Sequence, residues 1–523
     1  MLPYRSPLPD DPAARRRVRA IRVAAYVAVI AAVIVTIIQF QYGTMRNLRK
    51  AEQFDRAYPD WPVVFEPGTP PRPGGHKGAI GRWRKAVRQF WAGRNIYGLV
   101  PKDWNSLEHT PVSQLESASE HGLVFMHPNT VFTVLLLTPF AYLPVWAMAL
   151  SFNLLKAAAL AAAVLMTARL AAHEQPDRGQ RDPRIADWVL LLGLLWTLLP
   201  ILTDLQHGNT NTFVLAAIVL HLWLYRRGRD IAAGAALAGA ICLKLTPVLF
   251  VVYWLYQRSW KPAASAVAAT VALAVVIPAA AVGPTRYAEL TGSWYRSIIR
   301  PGLVERSWYP EHINQSLSGV VSRYFLEGRD GDIFWGPDDD PHYQTRRHGW
   351  ITIVPLPPAT ARWLLRAGQL AVVLLGAWAI GLRKLPRRDG RRALHYGIVL
   401  LGMMLLNQRT WHHHAVVLLP AGVAVWQAVA YARISLRARA WALGLTVAAG
   451  VVNLLGREDL FRVIAKLTGH GKDAAERWTD VAKAYGPTFY LFVLLLAAAA
   501  VLAAATRRGE TPYADRRQTL TRA

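Results

Sequence analysis

The feature that most constrains this chain is the recurrence of long, uninterrupted apolar runs. AAYVAVIAAVIVTIIQF (24–40) and GPTFYLFVLLLAAAAVLAAA (486–505) are two of many. Each is about long enough to cross a hydrocarbon core of roughly 30 Å as a helix. Read as a soluble protein, 523 residues would suggest two to four domains. Apolar runs of this length and number predict instead an all-α fold, a polytopic transmembrane helical bundle. The expected organisation is a basic N-terminus (1–20), one membrane domain (21–506) and a basic tail (507–523).

The formal charge is +27, from 60 Lys and Arg against 33 Asp and Glu. Much of the excess falls in short loops between apolar runs, such as YRRGRD and LRKLPRRDGRR, where it reads as a positive-inside signal rather than a nucleic-acid surface. It also suits anionic lipid head groups. The N-terminal run is long and lacks a small-residue cleavage pattern, so it is expected to be a retained anchor. Following the basic loops gives about twelve spans with both termini inside and two long outer segments, about 43–127 and 284–360. A short apolar piece near 129–143 is expected to be re-entrant or interfacial. The single cysteine, Cys242, permits no internal disulfide and reads as a small buried hydrophobe.

That path places every unusual polar motif on one side: HGNTN, LKLTP, NQS (314–316) and NQRTWHHH. Lys244 ends an apolar run, where an ammonium either snorkels to the interface or holds a lipid phosphate. Asn209 and Asn211 flank a helix start, where amides cap the helix or meet sugar hydroxyls and phosphate. Asn314 and Gln315 read as loop contacts, and NQS also fits a glycosylation sequon. His412, His413 and His414 point about 100° apart on a helix, so they do not converge on one metal ion. Two of them can face a polar chamber as donors to phosphate. Asp338, Asp339 and Asp340 form an acidic run of the type that binds divalent ions through oxygen, but no essential metal and no cofactor is expected.

In this order and spacing, over roughly residues 80–430, the motifs resemble glycosyltransferase family 87. Its members are membrane enzymes of the GT-C superfamily, related to bacterial polyprenyl-phosphate-mannose-dependent mannosyltransferases. HGNTN matches the family's GQxN helix start, LKLTP its LKxxP, NQS its NQS and TWHHH its SWxHH. Upstream, AGRNIY (92–97) and MHPN (126–129) match its aGxxxY and YPP-like elements. The resemblance implies that Lys244 neutralises the donor phosphate and that Asn209 and Asn211 line the site. It implies further that Asn314 and Gln315 contact sugar or phosphate, and that Trp411, His413 and His414 are the family's aromatic and paired histidines.

One departure matters. The family's first outer loop carries an Asp proposed as the base for the acceptor hydroxyl, and GGHKGAIGRWRKAVRQFWAGRNIY has no acid. Asp55, Asp60 and His76 are the candidates that remain for that role. The resemblance implies an inverting hexosyltransferase of the inner (plasma) membrane, with mannose the expected sugar. It would move a sugar from a polyprenyl-phosphate donor to a lipid or glycan acceptor on the extracytoplasmic face, with no nucleic-acid partner. The competing readings are a flippase of lipid-linked sugars and a non-catalytic envelope-biogenesis protein. Against the flippase, the polar motifs crowd one side and mid-span charges are few.

Overall fold

The computed structural model describes residues 12–57, 79–97, 99–101, 123–125, 128–172, 183–300, 308–309, 312–326, 351–432 and 434–507. Every apolar run read from the sequence is a helix. In chain order these are α1 (Pro12–Ala57), α2 (Ala79–Trp91), α3 (Val131–Ala141), α4 (Val145–Ala172), α5 (Pro183–His207), α6 (Asn211–Arg226) and α7 (Asp230–Leu243). There follow α8 (Leu249–Tyr256), α9 (Trp260–Val271), α10 (Ile277–Val282), α11 (Pro284–Trp294), α12 (Leu317–Phe325), α13 (Pro358–Ile380) and α14 (Arg391–Leu406). The last are α15 (Leu419–Tyr431), α16 (Leu436–Leu454), α17 (Glu458–Leu467), α18 (Lys472–Ala484) and α19 (Pro487–Arg507). Besides helices, the described residues contain one short antiparallel pair, Leu99–Pro101 with Leu123–Phe125.

Among the described residues, seven helical stretches are long and apolar enough to cross a membrane, eight if the α16–α17 pair, bent by 62°, is one broken span. The twelve-span path is not confirmed by this count. The helices α6, α7 and α14 are real but only 16, 14 and 16 residues long. At 1.5 Å per residue they reach ~21–24 Å, short of a ~30 Å core. The outer segments are also less loop-like than expected. Helix α1 runs on to Ala57, because QYGTMRNLRKAEQFDRA contains good helix formers and no proline. The second segment contains α11 and α12.

The bundle separates lipid-facing from buried helices by composition. On α1, Ile21, Val27, Ile30, Ile34 and Ile38 are exposed, and on α13 so are Leu370, Leu374 and Trp378. Such surfaces are stable only against another apolar medium. The core lies between α5, α6, α7, α14, α15 and α19, and nearly every residue of α14 is buried. Close approach of α5 and α15 needs Gly193, since a Cβ there would stand 2.5 Å from Val423 Cγ2.

Helix α2 is amphipathic: Ala79, Ile80, Trp83, Ala86, Val87 and Phe90 recur at helical spacing and are buried. They pack on α3, and Arg84 and Arg88 donate to the carbonyls of Ala141 and Leu143, capping its C-terminal end. The eleven-residue α3 is the short apolar piece, too short to span. Thr130 and Thr133 tie it to α7 by donating to the carbonyl oxygen of Cys242, itself buried.

Candidate functional site

The C-terminal ends of α5 and α7 and the N-terminal ends of α6 and of the 3-10 turn His412–Leu418 meet at one end of the bundle. Three of the four polar motifs lie on these ends. The chain reverses between α5 and α6 through Gly208, whose φ of +63° is a left-handed conformation. A Cβ on Gly208 would stand 2.6 Å from Ile80 Cγ1, so the turn also seats the start of α2. Gly208→Ala should therefore lower the thermal unfolding midpoint in detergent, by the equivalent of roughly 2 kcal/mol. Adding Ile80→Ala should recover part of the loss. Full tolerance of Gly208→Ala would mean that α2 does not dock there.

At the centre is an ion pair that no motif announces. Lys156 of α4 and Asp204 of α5 are both fully buried, with Nζ 2.8 Å from Oδ2. Lys156 also donates to the Asp204 carbonyl at 2.6 Å. The carboxylate caps the start of α6, accepting from Asn211 Nδ2 (2.9 Å), Thr212 Oγ1 (2.7 Å) and Thr212 N (3.3 Å). Lys244 then donates to Asn211 Oδ1 at 2.9 Å. The result is a continuous chain, Lys156–Asp204–Asn211–Lys244, with two ammonium groups and one carboxylate. Asp204 meets four donors, one on Oδ1 and three on Oδ2. Lys244, half-buried at the C-terminal end of α7, has no carboxylate partner among the described residues.

Beside this chain, Asn209 Nδ2 donates to His413 Nε2 at 2.8 Å, which requires a neutral ring carrying its proton on Nδ1. The His207 and His414 rings lie 5.1 Å and 4.7 Å from that of His413. His414 stacks on Trp411 at 5.8 Å, and its Nδ1 accepts from Trp411 N, which leaves Nε2–H as a donor. The buried indole nitrogen of Trp411 has no hydrogen-bond partner among the described residues. His412 turns away toward Arg457 Nη1, at 3.4 Å. Among the described residues, no group of three His, Cys, Asp or Glu side chains is arranged to hold a metal ion.

Asn314 and Gln315 lie next to this site in a different capacity from the contact role the sequence suggested. Asn314 Nδ2 donates to the Tyr309 and Gln408 carbonyls, and its Oδ1 accepts from the amides of Ser316 and Thr410. Gln315 Nε2 donates to the His312 and Lys483 carbonyls, and its Oε1 accepts from Thr488 N. Both carboxamides are committed to the backbone. They staple the segment before Trp411 to α12 and to the α18–α19 junction.

Of the three candidate bases, Asp60 and His76 lie outside the described residues, and Asp55 falls on α1 with its side chain outside them. Asp338, Asp339 and Asp340 are outside them too. Sequence reading missed Lys156, Asp204 and His207. The available signal was a lone lysine inside the apolar run SFNLLKAAAL, since an ionisable residue at membrane depth needs a partner or a task. Asn153, one turn before Lys156, was also missed; it is buried, and neither polar atom of its side chain has a partner among the described residues.

The sequence profile of glycosyltransferase family 87 matches residues 128–407. The chain belongs to this family. The matched span holds Lys156, Asp204, Asn209, Asn211, Lys244, Asn314 and Gln315, and stops just short of Trp411, His413 and His414. Comparison with curated proteins and with solved structures found no match. The family makes this chain a multi-pass membrane glycosyltransferase.

Proposed function

We propose that this glycosyltransferase takes a hexose, mannose in the first instance, from a polyprenyl-phosphate sugar and passes it to a hydroxyl of a lipid or glycan acceptor. The observation that supports the reading is Lys244, a cation without a carboxylate, held by Asn211 at the end of a buried ionic chain. In an inverting displacement the acceptor oxygen attacks the anomeric carbon and a base takes its proton. The carbon–oxygen bond to phosphate breaks and negative charge grows on the departing phosphate. A fixed ammonium beside that phosphate stabilises the charge as it forms. The indole N–H of Trp411 and the carboxamide of Asn153, unpartnered among the described residues, are donors available to phosphate or sugar hydroxyls. Asn209 fixes the His413 ring, and Asn314 and Gln315 hold the backbone that carries it. Basic loops at the opposite end support placing this site on the extracytoplasmic face.

Asp204 is engaged by Lys156, Asn211 and Thr212 in holding the start of α6. The base is therefore assigned to Asp55, Asp60 or His76. Membranes containing the protein are supplied with radiolabelled polyprenyl-phosphate mannose, alongside Asp55→Asn, Asp60→Asn and His76→Gln. Label should move to a new lipid or glycan product, and one variant should slow transfer by roughly 10²–10⁴-fold while still binding donor. Label confined to the donor in the wild type, or crossing the bilayer unchanged, would replace transfer with transport.

A further inference from the structure

The end of the bundle that carries the site also carries an amphipathic helix with an uncovered apolar edge. Helix α16 starts at the basic end, with Arg437 and Arg439 in its first turn, and its 19 residues reach ~28 Å at 1.5 Å per residue. That is already about the thickness of a ~30 Å hydrocarbon core, so α16 arrives at the far interface by itself. Its exposed apolar stripe, Leu443, Val447, Val451 and Leu454, follows helical spacing up to that point. Arg457, at the end of α16, lies 3.4 Å from His412 Nε2, which places this junction beside the TWHHH segment.

Across Leu455–Arg457 the chain turns by 62° into α17. The ten residues of α17 then advance only ~7 Å along the α16 axis, against ~15 Å for a straight continuation. With α16 near the membrane normal, α17 runs closer to the membrane plane than to the normal.

An independent observation comes from the faces of α17. At about 100° per residue, Glu458, Asp459, Arg462 and Lys466 fall on one face, and Leu460, Phe461, Val463, Ile464 and Leu467 on the other. Helix α18 packs along α17, and Ala465, Ala474 and Ala475 are buried. The edge opposite Ala465 is uncovered among the described residues: Val463 is 57% and Leu467 81% exposed. The polar face balances two acids against two bases, with Glu458 paired to Arg462. Water is a poor cover for two neighbouring aliphatic side chains, and lipid already coats α16 up to Leu454, directly before the bend.

We infer that α17 is a membrane-surface helix, lying in the head-group layer on the side of the site with Val463 and Leu467 sunk into the acyl boundary. The partner is the bilayer surface, met through apolar burial rather than charge, because the polar face of α17 is neutral overall. The contact sets the height of Arg457, and of His412 beside it, relative to the head groups. It does not depend on which sugar or carrier the site uses.

The test uses the full chain in phosphatidylcholine nanodiscs, with Cys242→Ser as background and one new cysteine carrying an environment-sensitive fluorophore. Val463→Cys and Leu467→Cys report the apolar edge, and Asp459→Cys and Lys466→Cys the polar face. Both edge positions are exposed, so a label there replaces no buried contact, and each reports independently of the other. Labels at Val463 and Leu467 should emit to the blue, resist aqueous iodide and be quenched by lipid with a nitroxide near the top of its acyl chain. Labels at Asp459 and Lys466 should be quenched by iodide. Adding a minor fraction of phosphatidylglycerol should leave this pattern unchanged. Equal iodide quenching at all four positions would place α17 in water. Strongest quenching of the edge labels by a nitroxide at the methyl end of the chain would make α16–α17 a broken span. Either result overturns the proposal, and shielding that appears only with phosphatidylglycerol overturns its apolar mode.

Discussion

Asp204→Asn is expected to destabilise the protein by about 3–5 kcal/mol, the loss typical when one member of a buried ion pair is removed. The side chain keeps its shape but no longer balances Lys156, and both positions are sealed from solvent. The substitution also weakens the cap on α6, because Thr212 N and Thr212 Oγ1 both point at the lost carboxylate. The effect reaches the site through Asn211, which would lose the acceptor that fixes its amide and with it the orientation presented to Lys244. Chemical denaturation in detergent measures the stability term. Replacing both members, as Lys156→Met with Asp204→Leu, should recover a good part of it, since no unpaired charge is then buried. A change below about 1 kcal/mol for Asp204→Asn would mean that the pair behaves as an exposed one.

The contrast between this pair and the apolar runs shows what one sequence can carry. The runs are local, and every one proved helical, because a helix satisfies its own backbone where no water can. Whether a helix counts as a span depends on a length that hydropathy blurs, so α6, α7 and α14 read as spans although their 16, 14 and 16 residues fall below the usual ~17–25. Lys156 and Asp204 stand 48 residues apart on different helices, and nothing near either position names the other. The polar motifs were legible as a group because charge placement put them on one side. Their individual roles were not. A carboxamide serves a sugar or a backbone equally well, and only the fold shows that Asn314 and Gln315 are committed to the backbone around Thr410 and Thr488. The family's missing first-loop acid was legible as an absence, and the candidates for its role, Asp55, Asp60 and His76, have side chains outside the described residues.

Lys244→Met is expected to lower sugar transfer by roughly 10²–10³-fold, the range seen when a group that stabilises developing charge is removed. Methionine keeps most of the apolar stem that packs at the end of α7, so the change isolates the ammonium. It removes one donor to Asn211, but Asn211 Nδ2 remains on Asp204, so the ionic chain behind it should stay in place. Stability should therefore change little, which separates this variant from Asp204→Asn. The split between kinetic constants tells what the cation does. An ammonium acting on the departing phosphate lowers kcat and kcat/KM together, whereas one that only anchors the donor raises KM and leaves kcat intact. Lys244→Arg restores the charge in a planar, longer group and should recover only part of the activity. Wild-type transfer by Lys244→Met would remove the cation from the reaction and leave Trp411 and Asn153 as the groups to test at the phosphate.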